Sequence, residues 1–417
     1  MMGIATKPDP RPCDERPGLL ALLFVIYALA FGQRQLPMIS AEILQLRLGL
    51  TDGAIAILVN GCFALPYALL AMPAGWLADR SDRLRLAGCG MGLASLATIA
   101  SAFPATTEMV LLNRVAIGIG HAALVPACYS ALGDVARPDR IGRAAAVFAL
   151  APFIGVALTL LLGGFLMSDR SSLGLSALVG GSSLATAAAL ALWPEPLRRE
   201  RQVVNGRAPA NWWTIVGTNL ALALAAMGVH ALVAWGAIWL VRSHHLAPSH
   251  AAWLMGGAIL LGGVGGSTAI RAAARRWLKV RLGSLVWFAM ANFAVALIAP
   301  LLFSSSLAIA VVLLAPAMLF AAIALSSGPA ALQEMTPAHL RGRRHGLAIA
   351  VVNLVGLAAG PALVGLLTDA TGDRNALGGV LMWLLPVIFT LSALSAAFAN
   401  LAQRRSYAIP GRPSSTT

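Results

Sequence analysis

Twelve long apolar runs, separated by short polar connections, constrain this chain more than any other feature of its sequence. A membrane-spanning helix needs about 20 consecutive apolar residues. We number the runs as spans 1–12 in chain order; they lie at 18–40, 53–77, 84–104, 108–133, 143–167, 171–193, 212–240, 250–270, 281–303, 306–333, 345–368 and 376–402. The composition agrees, since 59% of the residues are hydrophobic and 11% charged, against about 45–50% and 25% in soluble proteins. The sequence therefore predicts an all-α membrane protein rather than a soluble enzyme.

The positions of the basic residues predict the orientation in the membrane. Of the 30 Lys and Arg residues, 24 lie in the segments on one side, and four lie on the other side: Arg47, Arg170, Arg242 and Arg374. Basic residues concentrate on the cytoplasmic side of membrane proteins, so both termini are predicted to be cytoplasmic. The net charge of +14 is then explained by contact with anionic lipid and needs no nucleic acid. The preference for Arg over Lys points to a GC-rich bacterial source and hence to the inner membrane.

A polar stretch at 194–211 divides the chain into two similar halves. The predicted organisation is a cytoplasmic tail (1–17), a six-helix bundle (18–193), a cytoplasmic central loop (194–211), a second six-helix bundle (212–402) and a cytoplasmic tail (403–417). Equivalent residues recur at an offset of 199–201 positions: Pro138 and Pro337, Gly142 and Gly342, Arg143 and Arg343, Gly155 and Gly356, Gly164 and Gly365. Transporters with such repeats bind their substrates between the halves, near the bilayer midplane.

Two motifs resemble signatures of the major facilitator superfamily. The segment GWLADRSDRLR (75–85) is similar to the loop signature after the second helix, and LLNRVAIGIGHAA (111–123) is similar to the signature of the fourth helix. Four further segments resemble the Spinster-like and anion:cation symporter branches: FGQRQL (31–36), GHAALVPACYSALGD (120–134), WLVRSHHL (239–246) and NLVGLAAGPALVGLLTD (353–369). The chain departs from Spinster-like proteins in having Gln33 and His121 where they usually carry acidic residues.

This resemblance implies a secondary transporter that works by alternating access, with its gating residues on the cytoplasmic side. The residues to which it assigns a gating or conformational role are Gly75, Asp79, Arg80, Arg83, Asp134 and Arg143. In the family the Asp equivalent to Asp79 faces the start of the eleventh helix, which here follows Arg341-Gly342-Arg343.

Two arginines are placed within spans, whereas all sixteen acidic residues can be assigned to tails, loops or helix ends. Arg34 in span 1 and Arg114 in span 4 are each about six residues from the predicted outer boundary, or roughly 9 Å. An arginine inside the membrane costs at least about 2.5–3.5 kcal/mol, and an anionic substrate would compensate both. Two alternatives remain open. Arg114 would hydrogen-bond backbone carbonyls, or Glu42, Asp52 and Glu108 would supply ion pairs.

Intramembrane histidines are the second group of candidates. His121 shares a face of span 4 with Arg114 and with Gly118, which we expect to leave room for a ligand. His230 in span 7 is its counterpart in the second half, although either histidine could be a packing residue. Histidine carries a proton near neutral pH, so an anion that offsets the arginine charge would favour protonation of His121 and give proton symport.

The sequence thus predicts a transporter of a small organic anion or an anionic amphiphile, embedded in the lipid bilayer as a monomer and coupled, as a hypothesis, to protons. The predicted substrate-binding residues are Gln33, Arg34, Arg114, His121, Tyr129 and His230. A drug or metabolite efflux antiporter of the same superfamily is the alternative; a membrane-embedded enzyme or a sensor would be of another class. No nucleotide-binding, metal-binding or nucleophilic motif is present, so we predict no catalytic residue, no metal and no cofactor.

Overall fold

The computed structural model describes residues 16–103, 106–135, 141–166, 172–195, 212–269, 283–304, 306–336, 348 and 350–408. All twelve predicted spans coincide with helical segments in this part of the chain. Ten of the described helices are long and apolar enough to cross a membrane. Spans 3 and 5 are not among these ten, because Arg83–Ala100 begins with two arginines and Ala151–Leu166 is shorter. Residues 1–15, the chain after residue 408 and most of the central loop lie outside the described residues, and the last helix runs six residues into the predicted C-terminal tail.

In the N-terminal half, span 1 is Pro17–Ile39 and is followed by a short outer helix, Ala41–Leu48. The remaining segments of this half run in chain order: span 2 comprises Asp52–Ala56, the π-helical turn Ile57–Gly61 and Cys62–Arg80; span 3 is Arg83–Ala100; span 4 is Thr107–Val135; span 5 comprises Ile141–Phe148 and Ala151–Leu166; span 6 is Ser172–Leu192.

The C-terminal half repeats this order. Its segments are span 7, Trp212–His244; span 8, Pro248–Ala258 with the π-helical turn Ile259–Gly263; span 9, Ser284–Leu302; span 10, Leu307–Met335; span 11, π-helical Val352–Ala359 and α-helical Gly360–Thr371; span 12, Leu377–Ala408. The π-helical turns of spans 2 and 8 lie at equivalent places in the two halves, as the internal repeat predicts.

Local signals define several helix ends. Thr51 Oγ1 accepts from Ala54 N and begins span 2, and Asp82 Oδ1 accepts from Arg85 N and begins span 3, as expected of N-cap residues. Gly49 and Gly372 follow the outer helix and span 11 in the left-handed conformation, which glycine adopts without steric cost. Because the bilayer core offers no hydrogen-bond partners, the apolar segments between these ends satisfy their backbone as helices.

Span 7 extends further than its hydropathy predicts. The helix continues to His244, four residues beyond the predicted end, so Arg242 lies in its last turn rather than in an outer loop. Span 11 likewise continues to Thr371 and includes Asp369. These two extensions bring charged side chains to the predicted outer surface on rigid helices.

The two halves share one buried apolar cluster toward their predicted outer ends. It joins Met38, Ile55 and Leu160 of the N-terminal half to Trp235 and Met255 of the C-terminal half. A second cluster, built around spans 1, 3 and 4, belongs almost entirely to the N-terminal half. The halves are therefore packed against each other through this cluster, and the candidate site adjoins it, because Val59, whose carbonyl contacts Arg114, is one of its members.

Candidate functional site

Arg34 lies in the last third of span 1 and is surrounded by aromatic rings. Its guanidinium carbon is 4.3 Å from the ring centroid of Phe31 and 5.0 Å from those of Phe63 and Tyr67. Its Nε donates to Nδ1 of His121 at 3.3 Å, whereas its Nη2 is buried with no hydrogen-bond partner. The aromatic faces attract the cation but leave this N–H group available to an acceptor.

Arg114 of span 4 is almost completely buried and is attached to span 2. Its Nε donates to the carbonyl oxygen of Val59 at 2.7 Å, which lies in the π-helical turn. The change of hydrogen-bond register in such a turn frees a carbonyl for an outside donor. The expected backbone contact of Arg114 is therefore present, but it uses only one side of the guanidinium. Nη1 is buried and unpartnered.

The two guanidinium groups flank the same ring. The guanidinium carbon of Arg114 is 5.2 Å from the Phe63 centroid, and that of Arg34 is 5.0 Å from it. Among the described residues, neither arginine forms an ion pair with a carboxylate. Glu42 and Asp52, which the sequence offered as partners, pair with Arg242 instead. The site thus holds two positive charges that its own described side chains do not neutralise.

His121 forms part of a directional chain of hydrogen bonds. Ser95 Oγ donates to the Met91 carbonyl at 2.6 Å and accepts from Gln33 Nε2 at 3.3 Å. Gln33 Oε1 is then left to face His121 Nε2 at 3.0 Å. A carbonyl oxygen only accepts, so Nε2 carries the ring hydrogen and Nδ1 accepts from Arg34. His121 is consequently a neutral imidazole whose two nitrogens are both engaged.

The expectation that Gly118 leaves room for a ligand is wrong. A Cβ atom at Gly118 would collide with the Phe63 carbonyl and would lie 2.9 Å from Cγ of Pro66. The glycine therefore allows spans 2 and 4 to pack closely. This packing also holds Arg114 against span 2.

His230 is the predicted site residue that lies in span 7. Its Nδ1 pairs with the Ala226 carbonyl of its own helix at 2.7 Å, as a packing histidine would. The halves also meet where Gln35 Nε2 donates to the Val233 carbonyl at 3.4 Å. Span 7 therefore contacts span 1 at the residue next to Arg34.

Tyr129 lies further toward the predicted cytoplasmic side in an aromatic group. Its ring packs edge-on against Tyr27 at 5.9 Å and Phe148 at 5.1 Å between centroids, and the Tyr27 and Phe148 rings stack at 4.6 Å. Tyr27 also contacts Phe31 at 5.2 Å, which places this group next to the aromatic rings around Arg34. Tyr129 remains 49% exposed.

The predicted gating residues lie in spans 2 to 5, at their predicted cytoplasmic ends. Gly75 lies beside Pro126 of span 4, and the Arg80 guanidinium lies 4.1 Å from the Trp76 ring centroid. Arg83 is buried; its Nε pairs with Glu195 at 2.5 Å and its Nη1 pairs with Asp134. Asp134 belongs to the N-terminal half and Glu195 to the start of the central loop.

The structure does not describe the side chains of the other gating candidates. Asp79 and Arg143 are in helices, but their side chains are outside the described residues, as are Arg341 and Arg343. A contact of Asp79 with span 11 therefore stays a prediction.

Aromatic rings and Ser95 are site residues that sequence reasoning missed. Phe31 precedes Arg34 by about one helical turn, and this spacing in the sequence predicts that the two side chains lie on the same face of span 1. Phe63, Tyr67 and Ser95 reach the site from spans 2 and 3, and no local pattern indicates that. The described residues contain no group of three His, Cys, Asp or Glu side chains suited to a metal.

Comparison with known proteins identifies the family. A profile of the Major Facilitator Superfamily matches residues 23–291. An MFS-type efflux pump of Mycolicibacterium smegmatis is 25% identical, with 96% of each chain covered. The fold is similar to the inward-facing, unoccupied structure of a bacterial homologue of the human lysosomal transporter Spinster, with a TM-score of 0.73, 20% identity and coverage of 95% of this chain and 98% of that one.

A nucleoside transporter structure is similar as well, with a TM-score of 0.67, 13% identity and coverage of 92% of this chain and 99% of that one. The profile match covers well over half of the chain, and the helical order and internal repeat agree with it. This protein belongs to the Major Facilitator Superfamily, and its likeness to Spinster-type transporters extends over nearly its whole length.

Proposed function

We propose that this multi-pass membrane transporter carries an organic anion, held between the guanidinium groups of Arg34 and Arg114. The observation that carries the proposal is the pair of buried, unpartnered N–H groups, Nη2 of Arg34 and Nη1 of Arg114, beside the Phe63 ring. Unpartnered buried donors are costly, and charge-assisted bonds to a carboxylate or phosphate are among the strongest available. An anion that accepts from both would offset this cost.

The rings around the arginines favour an anion with an apolar body. Phe31, Tyr27, Phe148 and Tyr129 form a continuous aromatic group that extends from Arg34 toward the predicted cytoplasmic side. Tyr27 and Phe148 are buried, so a head group on the arginines would leave its apolar portion against the partly exposed rings of Phe31 and Tyr129. An aryl or alkyl carboxylate, or a phosphate amphiphile, therefore suits the site better than a small hydrophilic acid.

We further propose that transport is coupled to protons, because Arg34 and a proton compete for Nδ1 of His121. Arg34 Nε donates to the lone pair of His121 Nδ1, which is the position that an added proton would occupy. An anion that draws Arg34 toward itself would free Nδ1 and offset the local positive charge. Anion and proton would then load together, each strengthening the binding of the other by the same factor.

Transport into proteoliposomes tests the proposal. Purified protein should accumulate a labelled aryl or alkyl carboxylate, and an inside-alkaline gradient should increase accumulation. Uptake of cationic drugs but not of anions would instead support the efflux antiporter, which the likeness to a mycobacterial efflux pump favours. If the protein transports neither anions nor cationic drugs, a sensor or an enzyme would be favoured. We further propose a monomer in the bacterial inner membrane with both termini cytoplasmic.

A further inference from the structure

Arg242 joins the predicted outer ends of spans 7 and 2, and all five of its guanidinium N–H groups donate hydrogen bonds. Nε of Arg242 donates to Glu42 Oε1 at 2.6 Å, and its Nη1 and Nη2 donate to the two carboxylate oxygens of Asp52 at 2.7 and 2.9 Å. The two remaining donors reach Gln45 Oε1 at 3.3 Å and the Arg374 carbonyl at 3.2 Å. Asp52 is completely buried, so this bidentate pair is shielded from water.

A second contact joins the two halves at the same place, and here the C-terminal half supplies the acceptor instead of the donor. Asp369, near the end of span 11, accepts from the backbone N–H groups of Asp52 at 2.9 Å and of Gly53 at 2.8 Å. These are the first two residues of the span 2 helix. A helix N-terminus carries unpaired N–H groups and a partial positive charge, so Asp369 caps this helix from the other half of the molecule.

Glycines make this close approach possible. A Cβ atom on Gly365 would lie 2.5 Å from the Asp52 carbonyl, and one on Gly53 would lie 2.7 Å from Cδ2 of Leu366. Spans 2 and 11 therefore meet backbone to backbone at this end. The shared apolar cluster of Met38, Ile55 and Trp235 packs in the same outer region.

We propose that these two contacts form one clasp that holds the outer mouth of the transporter closed and must break in every transport cycle. Both contacts centre on Asp52, whose carboxylate binds Arg242 and whose N–H binds Asp369. Because each joins the N-terminal half to the C-terminal half, a rocking motion that parts the outer ends separates both at once. This inference goes beyond the proposed function, since it does not depend on the nature of the substrate.

The first test measures the separation of the outer ends. Nitroxide labels at Arg47→Cys and Ala247→Cys, both exposed positions on opposite halves, report distances by pulsed electron resonance after Cys13, Cys62, Cys89 and Cys128 are replaced by Ser. The parent should give mainly one short distance. Asp369→Ala and Arg242→Gln should each add a longer-distance population, with the open-to-closed ratio raised about tenfold, equivalent to about 1.4 kcal/mol.

Matched variants distinguish a clasp from a general charge effect. Glu108→Gln removes a carboxylate at the outer start of span 4, within one half, and should leave the distances unchanged. Combining Asp52→Asn with Arg242→Gln should open the mouth no further than Arg242→Gln alone, because the Asp52–Arg242 contact is already lost in that variant. Monodisperse elution of each variant verifies that it is folded.

A second measurement uses chemical access. Gln35 is buried and contacts the opposite half at Val233, so a Gln35→Cys variant should react slowly with an impermeant maleimide added outside. Asp369→Ala should increase that rate several-fold. Unchanged distances and unchanged labelling in folded Asp369→Ala and Arg242→Gln variants would overturn the clasp.

Discussion

Arg34 Nε and His121 Nδ1 lie 3.3 Å apart, so the arginine donates to the ring nitrogen at which the histidine would gain a proton. The other ring nitrogen is engaged by Gln33 Oε1 at 3.0 Å. A proton on Nδ1 would place two donors face to face. The present position of Arg34 and a proton on His121 Nδ1 are therefore mutually exclusive.

Substitution of Arg34 should abolish anion transport. Arg34→Ala removes a charged donor whose hydrogen bonds contribute about 1.5–3 kcal/mol, which corresponds to about ten- to a hundredfold weaker binding. Arg34→Lys keeps the charge but loses the planar fork and should also be severely impaired. Binding of a labelled aryl carboxylate and its uptake into proteoliposomes measure both effects. Arg47→Ala, at an exposed outer position, is the control. Normal uptake by folded Arg34→Ala would disprove the assignment.

Replacement of His121 by Gln should uncouple transport from the proton gradient. Glutamine can still accept from Arg34 and donate to Gln33, but it takes up no proton between pH 5 and 8. We expect Arg34 to stay in place and downhill anion uptake to persist, while accumulation driven by an inside-alkaline gradient is lost. Equal gradient-driven accumulation by the parent and the His121→Gln variant would make His121 a packing residue.

Asp79→Asn should favour the inward-open state. The resemblance to the superfamily predicts that this carboxylate faces the start of span 11, where a negative charge near a helix N-terminus contributes about 0.3–1 kcal/mol. Losing it should increase the labelling of cysteine probes on the cytoplasmic side about two- to fivefold. Asp82→Asn is the neighbouring control, because Asp82 caps span 3 within its own half. Identical labelling of both variants would argue against a gate at Asp79.

Arg83→Ala should destabilise the protein without opening its outer mouth. Arg83 is 2% exposed and joins Glu195 and Asp134. Removing one partner of a buried ion pair typically costs about 3–5 kcal/mol, so the unfolding temperature in detergent should fall clearly. Arg85→Ala removes an exposed arginine paired with Asp82 at 3.3 Å, and exposed pairs contribute about 0–1 kcal/mol. Similar losses in both variants would show that the Arg83 cluster contributes little.

Hydropathy was sufficient to predict the helical fold. The helices Pro17–Ile39 and Ser284–Leu302 match predicted spans to within three residues at each end. The length of an apolar segment is a local property of the sequence. Each such segment forms a helix in the bilayer, because its backbone groups must find their hydrogen-bond partners within the segment. The same local logic identified Arg34 and Arg114 as unusual, since each is a charge within an apolar run.

The partners of these charges were decided by the tertiary structure. Asp52 was a candidate for the intramembrane arginines, yet it pairs with Arg242 and is contacted by Asp369, 317 residues away in sequence. Such pairings depend on where helix ends from different halves meet, and extending spans 7 and 11 by a turn or less created this meeting point. Gly118 likewise packs against span 2 rather than opening a cavity. The sequence alone determined which segments are long and apolar enough to cross the membrane. The packing of the two halves determined which of the described charges are paired and which are left without a carboxylate partner.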